Sequence, residues 1–287
     1  MNNGTDLQIA FIGGGNMARA LIGGLLRQGV SARQLCVGEP QAAARAQLER
    51  EFGVRTTADN REAIAAASVA VLAVKPQLTA QVLRALQGAP MAQRPLLLSI
   101  VAGVRIADLA RLCAPSTPIV RAMPNRPALL GAGITGLYAA PAVTAAQRSQ
   151  AEAIARAAGR VVWLRAESEL DVVTALSGSG PAYFFLLAEQ LAQAAVALGL
   201  DPQTASVLAA ETLYGSGALS RGEATLAEQR AAVTSKGGTT EAALQVLTAG
   251  GFGPLVESAL RAGAQRSAAL ADLAAAAVSS HAIEPSS

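Results

Sequence analysis

The sequence contains very little of several residue types that enzymes commonly use for catalysis. Its 287 residues include one histidine, two cysteines and two lysines, and only 3% of them are aromatic. The single histidine, His281, lies near the carboxyl terminus, which excludes a histidine-based metal site or histidine general acid in the body of the protein. Cys36 and Cys113 are far apart and lack metal-binding spacing. We therefore expect no resident metal.

Charge and hydropathy exclude further classes of partner. The net charge is +3 and the basic residues form no cluster, so no nucleic-acid-binding surface is expected. The sequence begins with polar residues and has no uninterrupted run of about 18 apolar residues, so neither a signal peptide nor a membrane span is expected. These features predict a soluble cytoplasmic protein with reduced thiols and no nucleic-acid or membrane partner.

The first half of the sequence alternates apolar runs with helical segments. The predicted strands are residues 7–13, 35–38, 69–74, 96–100, 119–121 and 160–165. Residues 41–52 are predicted to be helical, and residues 55–60 are interpreted as a loop. Strands separated by amphipathic helices indicate βαβ units and a parallel sheet.

A glycine motif stands where the first predicted strand meets the first helix. Gly13, Gly15 and Ala18 form the pattern G-x-G-x-x-A. The first glycine permits a tight turn, the second lets a pyrophosphate approach the backbone, and the alanine lets the helix pack on the strand. A pyrophosphate is then held at the helix amino terminus. The context favours dinucleotide binding over a plain turn.

Ligands of a parallel sheet bind beyond the carboxyl ends of its strands, where Glu39, Lys75, Ala102 and residues 124–125 are expected. An acidic residue about 20 positions beyond the glycines usually accepts hydrogen bonds from the adenosine ribose, which favours NAD. Glu39 is alternatively an ordinary solvated carboxylate, and Lys75 either contacts the cofactor or lies on the surface. The choice between NAD and NADP stays open.

The second half of the sequence is predicted to be helical throughout. The predicted helices are residues 171–199, 203–219, 223–233, 239–249 and 254–278. Their apolar residues lie on more than one face, which indicates burial against a second copy of the chain. We therefore expect a first domain at residues 1–165, a second at 166–287, and a homo-oligomer that is at least a dimer.

Two glycine-rich segments, residues 176–183 and 233–240, interrupt this helical half. Glycine in a helix costs about 1 kcal/mol relative to alanine, so each segment requires a reason. One reason is close approach of backbone N–H groups to an anionic small molecule, and the other is tight helix packing. The residues alone leave both alternatives open.

Five segments together carry a family resemblance: residues 11–18, 73–77, 120–125, 171–184 and 233–240. On these motifs, the chain resembles pyrroline-5-carboxylate reductases from about residue 9 to 273. The resemblance implies a Rossmann-like dinucleotide-binding domain followed by an all-α dimerisation domain. It also implies hydride transfer from NADP or NAD, in reduced form, to the C=N carbon of 1-pyrroline-5-carboxylate, giving L-proline.

The resemblance also implies the residues that form the site. The implied cofactor-binding residues are Ile12, Gly13, Gly14, Gly15, Asn16, Met17, Glu39, Asn60, Val74, Lys75 and Ala102. The implied substrate-binding residues are Ser235, Gly237, Gly238, Thr239 and Thr240, with Glu167 as a less firmly aligned member. Thr240 is the candidate catalytic residue, because its hydroxyl is expected to orient the ring nitrogen of the substrate.

The chain departs from the family pattern at three positions. Arg126 replaces a usual threonine, Lys236 replaces a usual proline, and Ala232 replaces a frequently polar residue. These changes concern the substrate side and leave the cofactor loop intact. Lys236 either adds a cation for a carboxylate or points to solvent.

The shortage of proton donors agrees with reduction of an imine. A ketone becomes an alkoxide on reduction and needs a donor such as histidine or lysine, whereas a protonated imine needs none at hydride transfer. A hydroxyacid dehydrogenase is a second reading, but it calls for a lysine soon after the glycine-rich segment, and residues 181–187 contain none. A nucleotide-sensing protein is a third reading, and it has no need of residues 235–240.

Overall fold

The computed structural model describes residues 7–89 and 94–280. His281 therefore lies outside the described residues. The described chain forms two compact units, one made of residues up to Gly178 together with the chain from Gly263, and one made of Ser179–Ala262. The predicted domain division after residue 165 therefore falls inside the first unit, whose first segment ends at Gly178.

The first unit is built on one sheet. Its strands are β1 Ile9–Ile12, β2 Leu35–Gly38, β3 Arg55–Thr57, β4 Val69–Leu72, β5 Leu96–Ser99, β6 Ile119–Met123, β7 Gly133–Ala139 and β8 Gly159–Trp163. Their spatial order is β3-β2-β1-β4-β5-β6-β7-β8. Every neighbouring pair is parallel except β6 and β7, which are antiparallel. The predicted parallel sheet is confirmed.

Helices connect most of these strands, and α7 follows the last one. They are α1 Asn16–Arg27, α2 Ala42–Phe52, α3 Asn60–Ile64, α4 Thr79–Ala85, α5 Ile106–Leu112, α6 Ala145–Arg156 and α7 Glu169–Val173. Alternate strand residues pack into two apolar clusters, so that Ile9 and Phe11 of β1 join one cluster and Ala10 and Ile12 join the other. The central strands are thus buried on both faces, as parallel sheets require.

Two predictions for the first unit were incomplete. The expected loop at residues 55–60 contains β3 and the start of α3, which Asp59 caps by accepting from the Arg61 N–H at 2.8 Å. With three residues, β3 is too short to show an alternating pattern. Strand β7 was not predicted, because Gly133 and Gly136 weaken its strand signal.

The chain leaves the first unit through an irregular helical turn. A π turn of five residues, Thr174–Gly178, follows α7 directly. Helix α8 spans Gly180–Ala197 and has Pro181 in its first turn, where a missing backbone N–H removes no hydrogen bond. The π turn therefore lies before Pro181, and the proline itself does not disturb α8.

The second unit is helical, and its helices match the predicted segments. They are α8, α9 Pro202–Leu219, α10 Leu226–Ala232, α11 Thr239–Ala249 and the first part of α12 Phe252–Ser280. The later part of α12 belongs to the first unit, where Val278 packs in the apolar core. The stretch Glu169–Ala197 is long and apolar enough to cross a membrane by length and composition alone.

Candidate active site

The glycine loop between β1 and α1 makes a tight turn against β4. Gly13 has a φ of +98°, a conformation that favours glycine, and a Cβ there would lie 2.7 Å from the carbonyl oxygen of Ala73. The Gly13 N–H donates to the Gly38 carbonyl at 2.8 Å. Only glycine fits the first position, so the loop is fixed between the ends of β2 and β4.

Gly15 serves a different purpose from Gly13. It precedes α1 in an extended conformation with a φ of −68°, and a Cβ built there meets no atom within 4 Å. Open space lies over Gly15, and no side chain within the described chain caps α1. The N–H groups of the first turn, which include those of Asn16 and Met17, are therefore available to an anion such as a pyrophosphate.

Glu39 lies directly after β2 and is fixed by the same loop. One carboxylate oxygen accepts from the Gly14 N–H at 3.1 Å, and the other accepts from the Gln41 N–H at 3.0 Å. Arg45 donates through Nη1 to the carbonyl oxygens of Glu39 and Pro40, at 2.9 and 2.8 Å. The carboxylate thus occupies a defined position beside the pyrophosphate loop.

Asn60 lies against the end of β2, on the adenosine side of the loop. A Cβ at Gly38 would lie 2.1 Å from Asn60 Oδ1, so a glycine at that position lets the two segments meet. Oδ1 of Asn60 is buried and has no hydrogen-bond partner among the described residues. An unpaired buried acceptor is costly, and a ribose hydroxyl would satisfy it.

The remaining predicted cofactor residues follow the next two strands. Val74 lies after β4, and its Cγ1 is 3.2 Å from the Cβ position of Gly13. Lys75 and Ala102 follow β4 and β5 and are both exposed. Because these strands are parallel, their carboxyl ends share one edge of the sheet, which we call the cofactor edge.

The features of the cofactor edge fit a dinucleotide. Strand β1 lies between β2 and β4, so the chain crosses from one side of β1 to the other at this point, which is where such sheets bind their ligands. Three features lie at this edge, namely the open space over Gly15, the uncapped start of α1 and the unpaired Oδ1 of Asn60. The predicted cofactor residues are brought together within the first unit.

The predicted substrate residues lie in the second unit, in a turn that precedes α11. The Gly238 N–H donates to the Ser235 carbonyl at 3.0 Å, and Gly237 has a φ of +71°. The φ of Gly237 favours glycine, and a Cβ at Gly238 would lie 2.5 Å from Ser235 Oγ, so a side chain there would displace that hydroxyl. Lys236 occupies the exposed second position of this turn, which explains why lysine can replace proline there.

Helix α11 begins directly after this turn, at Thr239. Its N-cap is Gly238, and no side chain in the described chain caps it. The N–H groups of Thr239 and Thr240, in the first turn of α11, thus receive no hydrogen bond acceptor from a capping side chain. The Gly237 N–H is different, since it donates to Glu241 Oε2 at 2.8 Å. An anion at this turn would therefore meet the N–H groups of Thr239 and Thr240 rather than that of Gly237.

Glu167 lies in the first unit and has partners of its own. Its Oε1 accepts from Arg121 Nη1 and from the Ile106 N–H, both at 2.7 Å. Direct contact between Glu167 and a substrate stays a prediction.

The residue patterns placed Asn125 just beyond the end of a strand and gave no role to Arg121, although both lie in the family motif at residues 120–125. Asn125 is buried at 9% exposure, accepts from the Ile134 N–H at 2.9 Å and donates to the Ser177 carbonyl at 3.1 Å. The only available signal was a polar residue following an apolar strand.

Neither cysteine is a candidate nucleophile. Cys36 is buried within β2. Burial raises the pKa of the Cys113 thiol to about 11, so the reactive thiolate is scarce near neutral pH.

Comparison with known proteins decides the family. Residues 167–270 match the sequence model for pyrroline-5-carboxylate reductase dimerisation, and residues 8–103 match the model named NADP oxidoreductase coenzyme F420-dependent. The pyrroline-5-carboxylate reductase of Pseudomonas aeruginosa is 48% identical over 266 residues, which cover 92% of this chain and 97% of that protein. The chain belongs to the pyrroline-5-carboxylate reductase family.

Solved structures agree with this family. A pyrroline-5-carboxylate reductase from Coxiella burnetii has 39% identity and a TM-score of 0.89, and the match covers 93% of this chain and 99% of that one. A Plasmodium falciparum pyrroline carboxylate reductase with NADP bound has 26% identity and a TM-score of 0.78, with 94% and 99% covered. The expected fold, a dinucleotide-binding domain followed by a helical dimerisation domain, is confirmed, as is the expected cofactor class.

Proposed function

We propose that this protein reduces 1-pyrroline-5-carboxylate to L-proline with NADPH or NADH, in the biosynthesis of proline. The observation that carries the proposal is the cofactor edge, with its open space over Gly15 and its uncapped α1, in a chain of this family. When bound, the reduced nicotinamide supplies a hydride to a C=N carbon. The chain itself has to bind the cofactor and the substrate, orient them and exclude water.

The turn before α11 is the proposed substrate site. The N–H groups of Thr239 and Thr240 hold the substrate carboxylate, because an uncapped helix start attracts anions. Ser235, Gly237 and Gly238 shape the turn so that these groups converge. The Thr240 hydroxyl hydrogen-bonds the ring nitrogen, and no acid is needed because a protonated imine is already cationic.

Nicotinamide oxidation with and without the imine tests this function. The purified protein is incubated with NADPH or NADH, and absorbance loss is followed before and after addition of 1-pyrroline-5-carboxylate. We expect oxidation only when the imine is present. A protein that binds either nucleotide but leaves the imine unreduced would contradict the function. Oxidation driven by an α-keto acid would instead indicate a hydroxyacid dehydrogenase, and nucleotide binding without any turnover would indicate a sensor.

Replacing Thr240 with valine tests its role in orienting the substrate. Valine has nearly the same shape but cannot hydrogen-bond. A hydrogen bond to a charged group contributes about 1.5–3 kcal/mol, so kcat/KM should fall about 10–150-fold. Nucleotide affinity and melting temperature should barely change. Thr248→Val, at the other end of α11, is the matched control. A destabilised Thr240→Val protein with intact turnover would show that the residue only supports the helix.

We also propose that the protein works in the cytoplasm as a homo-oligomer, at least a dimer, formed through its helical half. The dimerisation model that matches residues 167–270 supports this proposal. We keep residue 165 as the functional division, because residues 1–165 hold every proposed cofactor contact.

A further inference from the structure

A single ion pair fixes the loop that carries Ala102. This loop, residues 100–105, connects β5 to α5. At its start, Ser99 at the end of β5 pairs in register with Arg121 on β6. At its end, the Ile106 N–H donates to Glu167 Oε1 at 2.7 Å, and Arg121 Nη1 donates to the same oxygen at 2.7 Å. Arg121 and Glu167 therefore link both ends of the loop.

The burial of Arg121 makes its partner difficult to replace. Arg121 is 8% exposed, and its only described ion-pair partner among residues 7–89 and 94–280 is the half-buried Glu167. A buried guanidinium that loses its carboxylate is left with an uncompensated charge, which is strongly unfavourable. Both donors, Arg121 Nη1 and the Ile106 N–H, share Oε1 of Glu167, so one carboxylate oxygen holds the two contacts together.

The later part of α12 supports the same loop from another side. Gly103 has a φ of +72°, and a Cβ there would lie 3.7 Å from the Ala271 nitrogen. Arg105 Nη1 donates to Asp272 Oδ1 at 2.7 Å. The loop is thus held at its two ends by Arg121 and Glu167 and along its length by α12, an arrangement that fixes the backbone around the exposed Ala102.

The position of the loop indicates which part of the cofactor it meets. Glu39 and Asn60 lie at the ends of β2 and β3, so they mark the adenosine half. A dinucleotide extends across the crossing point at β1, and its nicotinamide half then lies over β4, β5 and β6. Residues 100–105 follow β5 and are therefore expected to lie beside the nicotinamide half.

We propose that Glu167 and Arg121 are positioning residues for the nucleotide, which they affect by fixing residues 100–105. This inference rests on the proposed function in one respect, since it takes Ala102 as a cofactor contact. The substrate contact that the family resemblance implied for Glu167 stays a separate prediction.

Glu167→Gln tests the positioning role, because it keeps the volume and an acceptor oxygen but removes the charge. We expect the Kd of NADPH and NADH in calorimetric titration to rise by about tenfold or more, as expected for loss of a charge-assisted bond. A raised KM for the imine at saturating nucleotide, with both Kd values unchanged, would show a substrate role alone and overturn the proposal.

Variants of the partner and a matched control complete the experiment. Arg121→Met should weaken nucleotide binding as Glu167→Gln does, and Arg121→Lys should restore part of it. Glu169→Gln is the control, because the Glu169 carboxylate accepts from the Arg165 and Ala166 N–H groups of its own segment and from no other group that the structure describes. A lower melting temperature with unchanged Kd in the Glu167 and Arg121 variants would show a purely structural pair and reject the proposal.

Failure of the proposed function gives a separate result. A wild-type protein that binds nucleotide but does not reduce the imine would refute the reductase activity, while the Kd values of the variants would still test the positioning role. If Glu167→Gln does not fold, Glu167→Asp keeps the charge but shortens the reach to Ile106. The same rise in Kd is expected for it, and an unchanged Kd would reject the proposal.

Discussion

The glycines at the cofactor edge have different roles. Gly13 and Gly14 let segments of the protein pack closely, whereas Gly15 leaves space for a ligand. Gly13 cannot accept a side chain without striking Ala73, and a Cβ at Gly14 would lie 2.6 Å from Leu48. Gly15 has ordinary backbone angles and open space in front of it, so a side chain there disturbs only a ligand.

We predict that Gly15→Val abolishes nucleotide binding and leaves the fold intact. The valine side chain fills the space where a pyrophosphate approaches the backbone. Calorimetric titration should show a Kd for NADH and NADPH at least about a hundredfold higher, as loss of several anion-binding hydrogen bonds implies. Melting temperature should be close to that of the wild type. Unchanged affinity for both nucleotides would refute the placement of the pyrophosphate at this loop.

Glu39 concerns the choice between the two nicotinamide cofactors. Its carboxylate is held by two backbone N–H groups at the end of β2, where an adenosine ribose is expected. A free 2′-hydroxyl can donate to this carboxylate, whereas a 2′-phosphate is repelled by it.

We predict that Glu39→Ser raises the ratio of kcat/KM for NADPH to that for NADH. Removing one like charge near the phosphate should change the ratio about 5–30-fold, equivalent to about 1–2 kcal/mol. Glu49→Ser, an exposed carboxylate on α2, is the control. Should the ratio fall, Glu39 has no such part in cofactor selection.

At the scale of elements, the π turn at Thr174–Gly178 joins the sheet to the helical unit. Asn125 holds it through the Ser177 carbonyl, and a Cβ at Gly178 would lie 2.8 Å from Met123 Cε. Met123 and Asn125 lie at and just beyond the end of β6, so this strand fixes the turn from which α8 begins. Insertions of this kind within helices are frequent at functional sites.

We predict that Asn125→Ala lowers the free energy of unfolding by about 2 kcal/mol, because the half-buried Ile134 N–H and Ser177 carbonyl lose this partner. Asn125→Asp still accepts from Ile134, but it places a buried carboxylate against the Ser177 carbonyl, so its loss should be at least as large. Urea unfolding at fixed protein concentration measures both. Equal stability of the two variants and the wild type would show that these hydrogen bonds contribute nothing.

The elements that sequence patterns predicted well are those whose signal is local. Strand β2 was predicted at its observed bounds, and α9 and α11 within one residue, because apolar runs and terminal glycines mark them. The glycine loop was predictable for the same reason, since its task depends on neighbouring residues. The π turn and the role of Glu167 depend on partners about 50 residues away in the chain, a kind of contact that periodicity does not report.

At the scale of the whole molecule, the second unit cannot be stable in water alone. Between Ser179 and Ala262, Gly180 and Ala205 are its buried residues. Large apolar side chains such as Phe184, Phe185 and Tyr214 are exposed at 59%, 60% and 74%. Soluble monomers rarely leave so many large apolar side chains in contact with water. The stretch that is apolar enough for a membrane lies within the dimerisation match, which favours a protein interface as its cover.

We predict an obligate homo-oligomer, at least a dimer, assembled through residues 166–278. Sedimentation at micromolar concentration should show no monomer for the wild type. Phe184→Glu should raise the dissociation constant at least about a hundredfold, since a buried unpaired carboxylate costs several kcal/mol. Leu130→Glu, at an 86% exposed leucine of the first unit, is the control and should leave the assembly intact. A stable, folded wild-type monomer would contradict the prediction, because the apolar surface of α8 and α9 would then need no partner.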